Sequence, residues 1–375
     1  MVRTLRDTQL VIDLNKIKKN IEVVKDIIGP SVAFMPVIKA NGYGHGALGI
    51  APAIMETKPA YLAVATLSEA VELKEAYPDY PVFVMGHTPD TYLPYVVEYD
   101  IAITVFELQQ VELLGRLARD AGKTVTVHVK VDTGFHRLGK VPSSAYADEV
   151  CTMFDVDGVN VEGIFSHLAL TNEKENDKQY DMFCDFIEEI QQRGYDFKYK
   201  HIADSIATVD YPQYHMNMVR PGAIIYGMKR NEAATVPVEP ALVFKTAISQ
   251  LHEIKAGEGV SYDYLWKAER DSIVATLPFG YADGYPRNLR DKGYVVIKGI
   301  KCPIVGVICM DQCIADVTDL AAATDVHPGM EAIIYGDGSE ATGGAMTIAE
   351  AASLAGSNKN EIIARFLTRP QRIYI

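Results

Sequence analysis

Eight short apolar runs alternate with helix-like stretches along the first part of the chain, and this alternation is what most constrains the fold. The runs are Ala33–Lys39, Tyr61–Thr66, Pro81–Gly86, Ile101–Val105, Thr124–Val131, Val161–His167, Tyr199–Ala203 and about Met216–Arg220. They read as buried strands of a parallel sheet, whose members are near-continuously hydrophobic. Between them, Glu107–Ala121 and Lys178–Arg193 read as helices. The latter carries Tyr180, Phe183, Ile187 and Ile190 on one face, with Gly194 as its stop. An opening helix has Leu14, Ile17, Ile21, Val24 and Ile28 in register, Asp13 as its cap and Gly29-Pro30 as its end. The count fits a (β/α)8 barrel better than an open doubly wound sheet.

Near Glu239 the texture changes. Strand-like runs at Val243–Leu251, Ser272–Leu277, Tyr294–Ile300, Ile304–Met310 and Glu331–Tyr335 follow closely on one another, with one helix at Thr347–Ala355. The expected fold class is therefore α/β, a (β/α)8 TIM-like barrel over 11–239 followed by a mostly β C-terminal domain over 240–375. Residues 1–10 have no place in the barrel and are expected to pair with the second domain.

Composition removes several functions. A net charge of −13 argues against nucleic acid and anionic membrane surfaces as partners. The N-terminal segment lacks the apolar stretch of a signal peptide, and no apolar run reaches the ~18 residues needed to span a bilayer. A cytoplasmic location is expected. The five cysteines form no CxxC pair and the nine histidines no ligand spacing, so neither a disulfide framework nor a metal site is indicated.

Chemistry collects where strands end. In a (β/α)8 barrel the reactive groups sit at the C-terminal ends of the strands, and the loops after strands 7 and 8 commonly hold a phosphate. Lys39 ends the first run, inside MPVIKANGYGHG, where a partly desolvated amine gains nucleophilic character. Arg137 follows the fifth run, His167 ends the sixth, Ser205 follows the seventh, and Arg220, Gly222 and Ala223 follow the eighth. Taken singly, Lys39 could be a surface lysine, Arg220 an ion-pair partner, His167 a core histidine and Ser205 a helix cap. Their shared rim favours chemistry. A lysine with a phosphate cradle of Ser205 and the Gly222 and Ala223 amides suggests pyridoxal phosphate.

The motifs VIKANGYGHG (37–46), VDTGFHRLG (131–139), HIADS (201–205), RPGAIIYG (220–227), GVSYD (259–263), GYADGYPR (280–287) and VGVICMDQ (305–312) together resemble the bacterial alanine racemases. The resemblance spans nearly the whole chain. It implies a pyridoxal-phosphate-dependent racemase that interconverts L- and D-alanine with two bases, Lys39 and Tyr262, on opposite faces of the substrate. Lys39 would hold the cofactor, and Tyr262 would arrive from the partner of a head-to-tail homodimer. Tyr43, Ser205, Gly222 and Ala223 would take the phosphate, and Arg220 would face the pyridine nitrogen with His167 hydrogen-bonded to it. Arg137, Tyr281, Met310 and Asp311 would bind the small amino-acid substrate. Lys130 matches a position that is carbamylated in some relatives.

Departures from the family pattern are informative. Asp263 stands where Gly is usual, Phe135-His136 replaces Met-Asn or Met-Gly, Val307 replaces Arg, and Thr368 replaces a tyrosine that crowds the substrate pocket. The last leaves serine, lysine or ornithine open as alternative substrates. A decarboxylase of the same fold would bring an acidic-cysteine motif in place of CMDQ. A non-catalytic cofactor carrier would lack the second domain.

Overall fold

A computed structural model describes residues 5–230 and 234–375. The chain forms two compact units. One comprises Lys18–Gly42 and Ala51–Ile225; the other gathers the described residues up to Ile17, Tyr43–Ile50 and Tyr226–Ile375.

The chain enters on β1 (Gln9–Ile12), which belongs to the second unit. The first unit then lays down β2 (Ala33–Phe34), β3 (Leu62–Val64), β4 (Val82–Val84), β5 (Ala102–Val105), β6 (Val125–Lys130), β7 (Val159–Phe165), β8 (Tyr199–His201) and β9 (Met218–Val219). Each falls within or beside one of the eight expected runs. They form one parallel sheet in the order β2-β9-β8-β7-β6-β5-β4-β3. Closure comes from Val37, which bridges Ala63: Ile38 N donates to Ala63 O at 2.8 Å and Ala63 N to Pro36 O at 2.9 Å. On its other edge the run stays bonded beyond β2, with Met35 N donating to Val219 O at 2.9 Å and Val37 N to Pro221 O at 2.8 Å, while Pro36 has no N–H to give. Helices such as Leu108–Asp120 and Glu173–Gln192 cover the strands; the first is close to its expected range, and the second begins five residues before the expected Lys178, where Asn172 caps it.

The second unit is built on a nine-stranded sheet in which β1 lies between two later strands. It pairs antiparallel with β10 (Leu242–Ala247) and parallel with the last strand, Gln371–Tyr374. β10 alternates buried and half-buried residues, as one covered face requires. Three expected runs resolve differently. Val243–Leu251 splits into β10 and β11 (Gln250–Ile254), and the stretch after Tyr294 is a hairpin with Ile297 paired to Ile300. Its two-residue loop, Lys298-Gly299, has φ of 48° and 77°. That is the doubly left-handed turn that hairpins favour, but lysine is an unusual residue for it. Past Val305 the chain leaves the sheet, so Gly306–Gln312 is a loop and not the expected strand; Cys313–Asp316 forms the next one.

Candidate active site

Lys39 stands at the start of a backbone turn of the wrong hand. Ala40, Asn41 and Gly42 all lie near φ +52 to +62° and ψ +43 to +51°, and Tyr43 has φ 51°. A left-handed helical conformation costs an ordinary residue about 1–2 kcal/mol, so something must hold this turn. Within the barrel unit, that something is Glu69. Its Oε1 accepts from Ala40 N at 2.6 Å, while Oε2 accepts from Ala65 N at 2.9 Å and Thr66 N at 3.2 Å. Glu69 also completes a capping box with Thr66 on helix Leu67–Ala76. One carboxylate thus fixes both a helix start and the turn carrying Lys39. Glu69→Ala should therefore destabilise the protein by about 2–3 kcal/mol, read as a lower urea midpoint. An unchanged midpoint would remove Glu69 as the clamp.

The second half of the glycine loop belongs to the other unit. There Arg372 Nε donates to Gly44 O at 2.9 Å, and the Tyr374 hydroxyl to His45 O at 3.2 Å. A Cβ on Gly44 would lie 2.1 Å from the Ile363 carbonyl oxygen, so only glycine fits. The Tyr43 ring packs against Tyr226 with centroids 5.1 Å apart and planes tilted by 35°.

Around Lys39 the barrel gathers positive charge. Burial, then the Arg137 guanidinium, lowers the pKa of the Lys39 amine, with Arg220 adding to the effect and Glu69 and Asp204 opposing it. Lys130 is driven down to about 7 by burial and by Arg220 and Arg137, against Asp132. His167 is held at about 3 by burial and the charges of Arg220, Arg137, Lys130 and Lys39, and so is neutral. Such a rim favours anionic ligands. Arg137 is exposed on the loop that Asp132 organises, where Asp132 Oδ1 accepts from the Gly134 and His136 amides, each at 3.0 Å. Its guanidinium lies 4.3 Å from the Phe135 ring centroid, and Phe135 in turn lies 4.9 Å from His167. The unusual Phe135 is thus a wall between the two.

After β8, Asp204 caps helix Ser205–Asp210 by accepting from the Ile206 and Ala207 amides. The Ser205 hydroxyl accepts from Gly222 N at 2.8 Å and Ile224 N at 3.4 Å, so amides of the Gly222–Ile224 turn converge on it. Arg220 is buried. Its Nη1 donates to His201 Nδ1 at 2.8 Å, and its Nη2 to Ser166 O at 2.8 Å and Ile202 O at 3.1 Å. The family resemblance placed His167 on Arg220; here His201 makes that hydrogen bond and His167 faces Phe135. A guanidinium has five N–H donors, which leaves two on Arg220 without an acceptor among the described residues.

The remaining predicted residues lie together on the β-rich unit. Tyr262 is 68% exposed, and the Ser261 hydroxyl beside it donates to Val307 O at 2.7 Å. Tyr281 N donates to Cys309 O at 3.1 Å, and Ala282 N to Met310 O at 3.1 Å. Asp311 accepts from Arg369 Nη1 at 2.7 Å. Loop 306–312 thus ties Tyr262, Tyr281, Met310 and Asp311 into one surface. Asp263 has φ 61°, which explains both the family's usual glycine and why aspartate, tolerant of that region, can replace it. Val307, in place of the usual arginine, is buried, and Thr368 is exposed.

Lys39, Arg137, His167, Ser205, Arg220, Gly222 and Ala223 therefore sit on the barrel unit, and Tyr43, Tyr262, Tyr281, Met310 and Asp311 on the other. Glu69 escaped the sequence reading although Thr66-Leu67-Ser68-Glu69 carries the capping-box pattern. Among the described residues, no His, Cys, Asp or Glu cluster could hold a metal ion.

The fold and rim define a (β/α)8-barrel enzyme with a half-buried lysine amine on an anion-receptive rim, and a β-rich unit. Residues 12–230 match the alanine racemase N-terminal domain family, and 241–374 the alanine racemase C-terminal domain family. Alanine racemase 2 of Caldanaerobacter subterraneus subsp. tengcongensis is 37% identical, over 100% of this chain and 96% of its own length. The alanine racemase of Clostridium tetani is 36% identical, over 100% and 97%. Among solved structures, Clostridium difficile 630 alanine racemase superposes with a TM-score of 0.94 at 29% identity, covering 100% of this chain and 97% of that one. The Bartonella henselae alanine racemase with covalently bound pyridoxal phosphate gives 0.86 at 27% identity, covering 98% and 99%. The chain belongs to the alanine racemase family.

Proposed function

We propose that this chain interconverts L- and D-alanine using pyridoxal phosphate carried on Lys39. The observation that bears most weight is the Arg220 guanidinium, buried with two N–H groups lacking any acceptor among the described residues. A ring nitrogen is such an acceptor. The amides converging on Ser205 suit a phosphate, as does the overall positive rim, so the residues present fit the group.

When bound, pyridoxal phosphate supplies an electron sink that makes the α-proton of the amino acid labile. Ser205, Gly222 and Ala223, with Tyr43, would bind the phosphate. Arg220 would meet the ring nitrogen only as a donor, because guanidinium does not give up its proton. Arg137, Tyr281, Met310 and Asp311 would orient the substrate. The Lys39 amine, with its lowered pKa, takes the proton from the D-enantiomer. The Tyr262 hydroxyl serves the opposite face, supplied from a second copy in a head-to-tail homodimer. Exposure of Tyr262, Tyr264, Leu265 and Met310 on the β-rich unit supports that arrangement, since such apolar surface marks interaction sites. No described helix is long and apolar enough to cross a membrane, and we place the enzyme in the cytoplasm.

Thr368 supports a second reading, a racemase of serine, lysine or ornithine. Polarimetry on all four amino acids with cofactor-reconstituted protein separates them. We expect kcat/KM for alanine to exceed that for serine by roughly 10- to 200-fold, the discrimination that one small group allows. Faster turnover of a larger amino acid would install the second reading, and carbon dioxide release would replace both with decarboxylation.

A further inference from the structure

Inside the barrel a line of polar side chains runs from Arg220 to Glu162. His201 Nδ1 faces Arg220 Nη1 at 2.8 Å, His201 Nε2 faces His128 Nδ1 at 2.8 Å, and His128 Nε2 faces Glu162 Oε2 at 3.6 Å. Glu162 also accepts from Lys198 Nζ at 2.8 Å and from the Tyr61 hydroxyl. Both imidazoles are wholly buried, and Phe165 stacks on His201 with centroids 4.9 Å apart and planes 5° apart. Phe83 lies 4.6 Å from His128.

Proton positions follow from elementary rules. Arginine can only donate, so His201 Nδ1 carries a lone pair. Burial keeps both rings neutral, His201 further depressed by the charge of Arg220. A neutral His201 whose Nδ1 accepts must hold its proton on Nε2, and it donates to His128 Nδ1. The His128 proton is then on Nε2, aimed at the Glu162 carboxylate. Against burial, contacts from His128, Lys198 and Tyr61 hold that carboxyl down at about 2, so it is charged at neutral pH. At 3.6 Å the final link is a charge–dipole contact, longer than a hydrogen bond.

The backbone is shaped for this line. The pairing of β6 with β7 slips between Val127 and His128, a bulge that sets His128 opposite Gly163. A Cβ on Gly163 would lie 2.5 Å from His128 Nδ1, so a glycine inside a strand makes room for the ring. No carboxylate lies within ion-pair distance of Arg220 among the described residues.

We propose that His128 and Glu162 are positioning residues for Arg220: with His201 they form a one-way chain that fixes its orientation without a carboxylate touching it. The chain leaves the two free N–H groups of Arg220 for the ring nitrogen, and this consequence rests on the cofactor reading above.

Holoenzyme labelled with 15N-histidine tests it, as wild type and as Glu162→Gln, which keeps the shape and removes the charge. Both buried rings should show Nε2–H tautomers unchanged from about pH 6 to 9, well above the range in which such depressed imidazoles titrate. Glu162→Gln should shift the His201 Nδ1 resonance, move the visible cofactor band and lower kcat about tenfold, the low end for outer-layer partners, with KM nearly constant. His128→Gln should move the same signals; circular dichroism reports whether each variant folds. An Nδ1–H tautomer, a ring titrating in that range, or a folded Glu162→Gln enzyme with unaltered resonance, band and kcat would overturn the proposal. Wild type without a visible band would instead overturn the cofactor reading, and the tautomers would still judge the chain.

Discussion

Replacing Lys39 with alanine is expected to abolish both the visible cofactor absorbance and racemisation in either direction, leaving at most about 10⁻⁴ of the activity. Two functions leave together. In the function proposed above, Lys39 is both the amine that carries the cofactor and the base that meets the D-enantiomer. Its surroundings suit both roles: burial, Arg137 and Arg220 lower its pKa, so more of it is free base at neutral pH than for a solvated lysine. Lys39→Arg should fail equally, since a guanidinium stays charged and cannot form the linkage. The fold should survive both changes, because the left-handed turn is held through the Ala40 amide and Glu69, not through the lysine side chain. Absorbance, circular dichroism and turnover measured on the same preparations separate these effects. A folded Lys39→Ala protein that keeps the visible band would remove Lys39 as the attachment point.

The same turn shows what a sequence discloses and what it hides. The eight barrel strands were legible because parallel strands covered on both faces are written as unbroken apolar runs, and each run needs only local reading. The rim residues followed from strand ends. In the β-rich unit legibility fell. Lys298-Gly299 turns a hairpin with a residue that rarely takes positive φ, and Cys313–Asp316 is too short to stand out beside loop 306–312. Partnerships were hidden for a different reason. His128, Glu162 and His201 are distant in sequence, and their line exists because a bulge and Gly163 align them. HIADS contained His201, yet nothing local distinguishes a histidine that meets Arg220 from His167, which meets Phe135. Glu69 is intermediate: its capping box could be read, but its hold on Ala40 requires the closed barrel.

Tyr262→Phe removes one oxygen atom and should give a different result from Lys39→Ala. The cofactor band should persist, because the tyrosine sits on the β-rich unit and takes no part in the attachment. Racemisation should fall by about 10²–10⁴, the usual weight of a positioned acid or base. The ring is already 68% exposed on the isolated chain, so its loss leaves no cavity there and little effect on folding is expected. With two bases, each serving one face, the enantiomers must respond differently. In D₂O, Tyr262→Phe should still exchange the α-proton of D-alanine for deuterium with retention of configuration, because Lys39 remains. Exchange into L-alanine, and net conversion, should collapse together. Proton NMR of the α-position with chiral separation reads both rates in one experiment. Equal exchange into both enantiomers, or full racemisation, would mean that one base serves both faces, and Tyr262 would then be a packing residue of the interface.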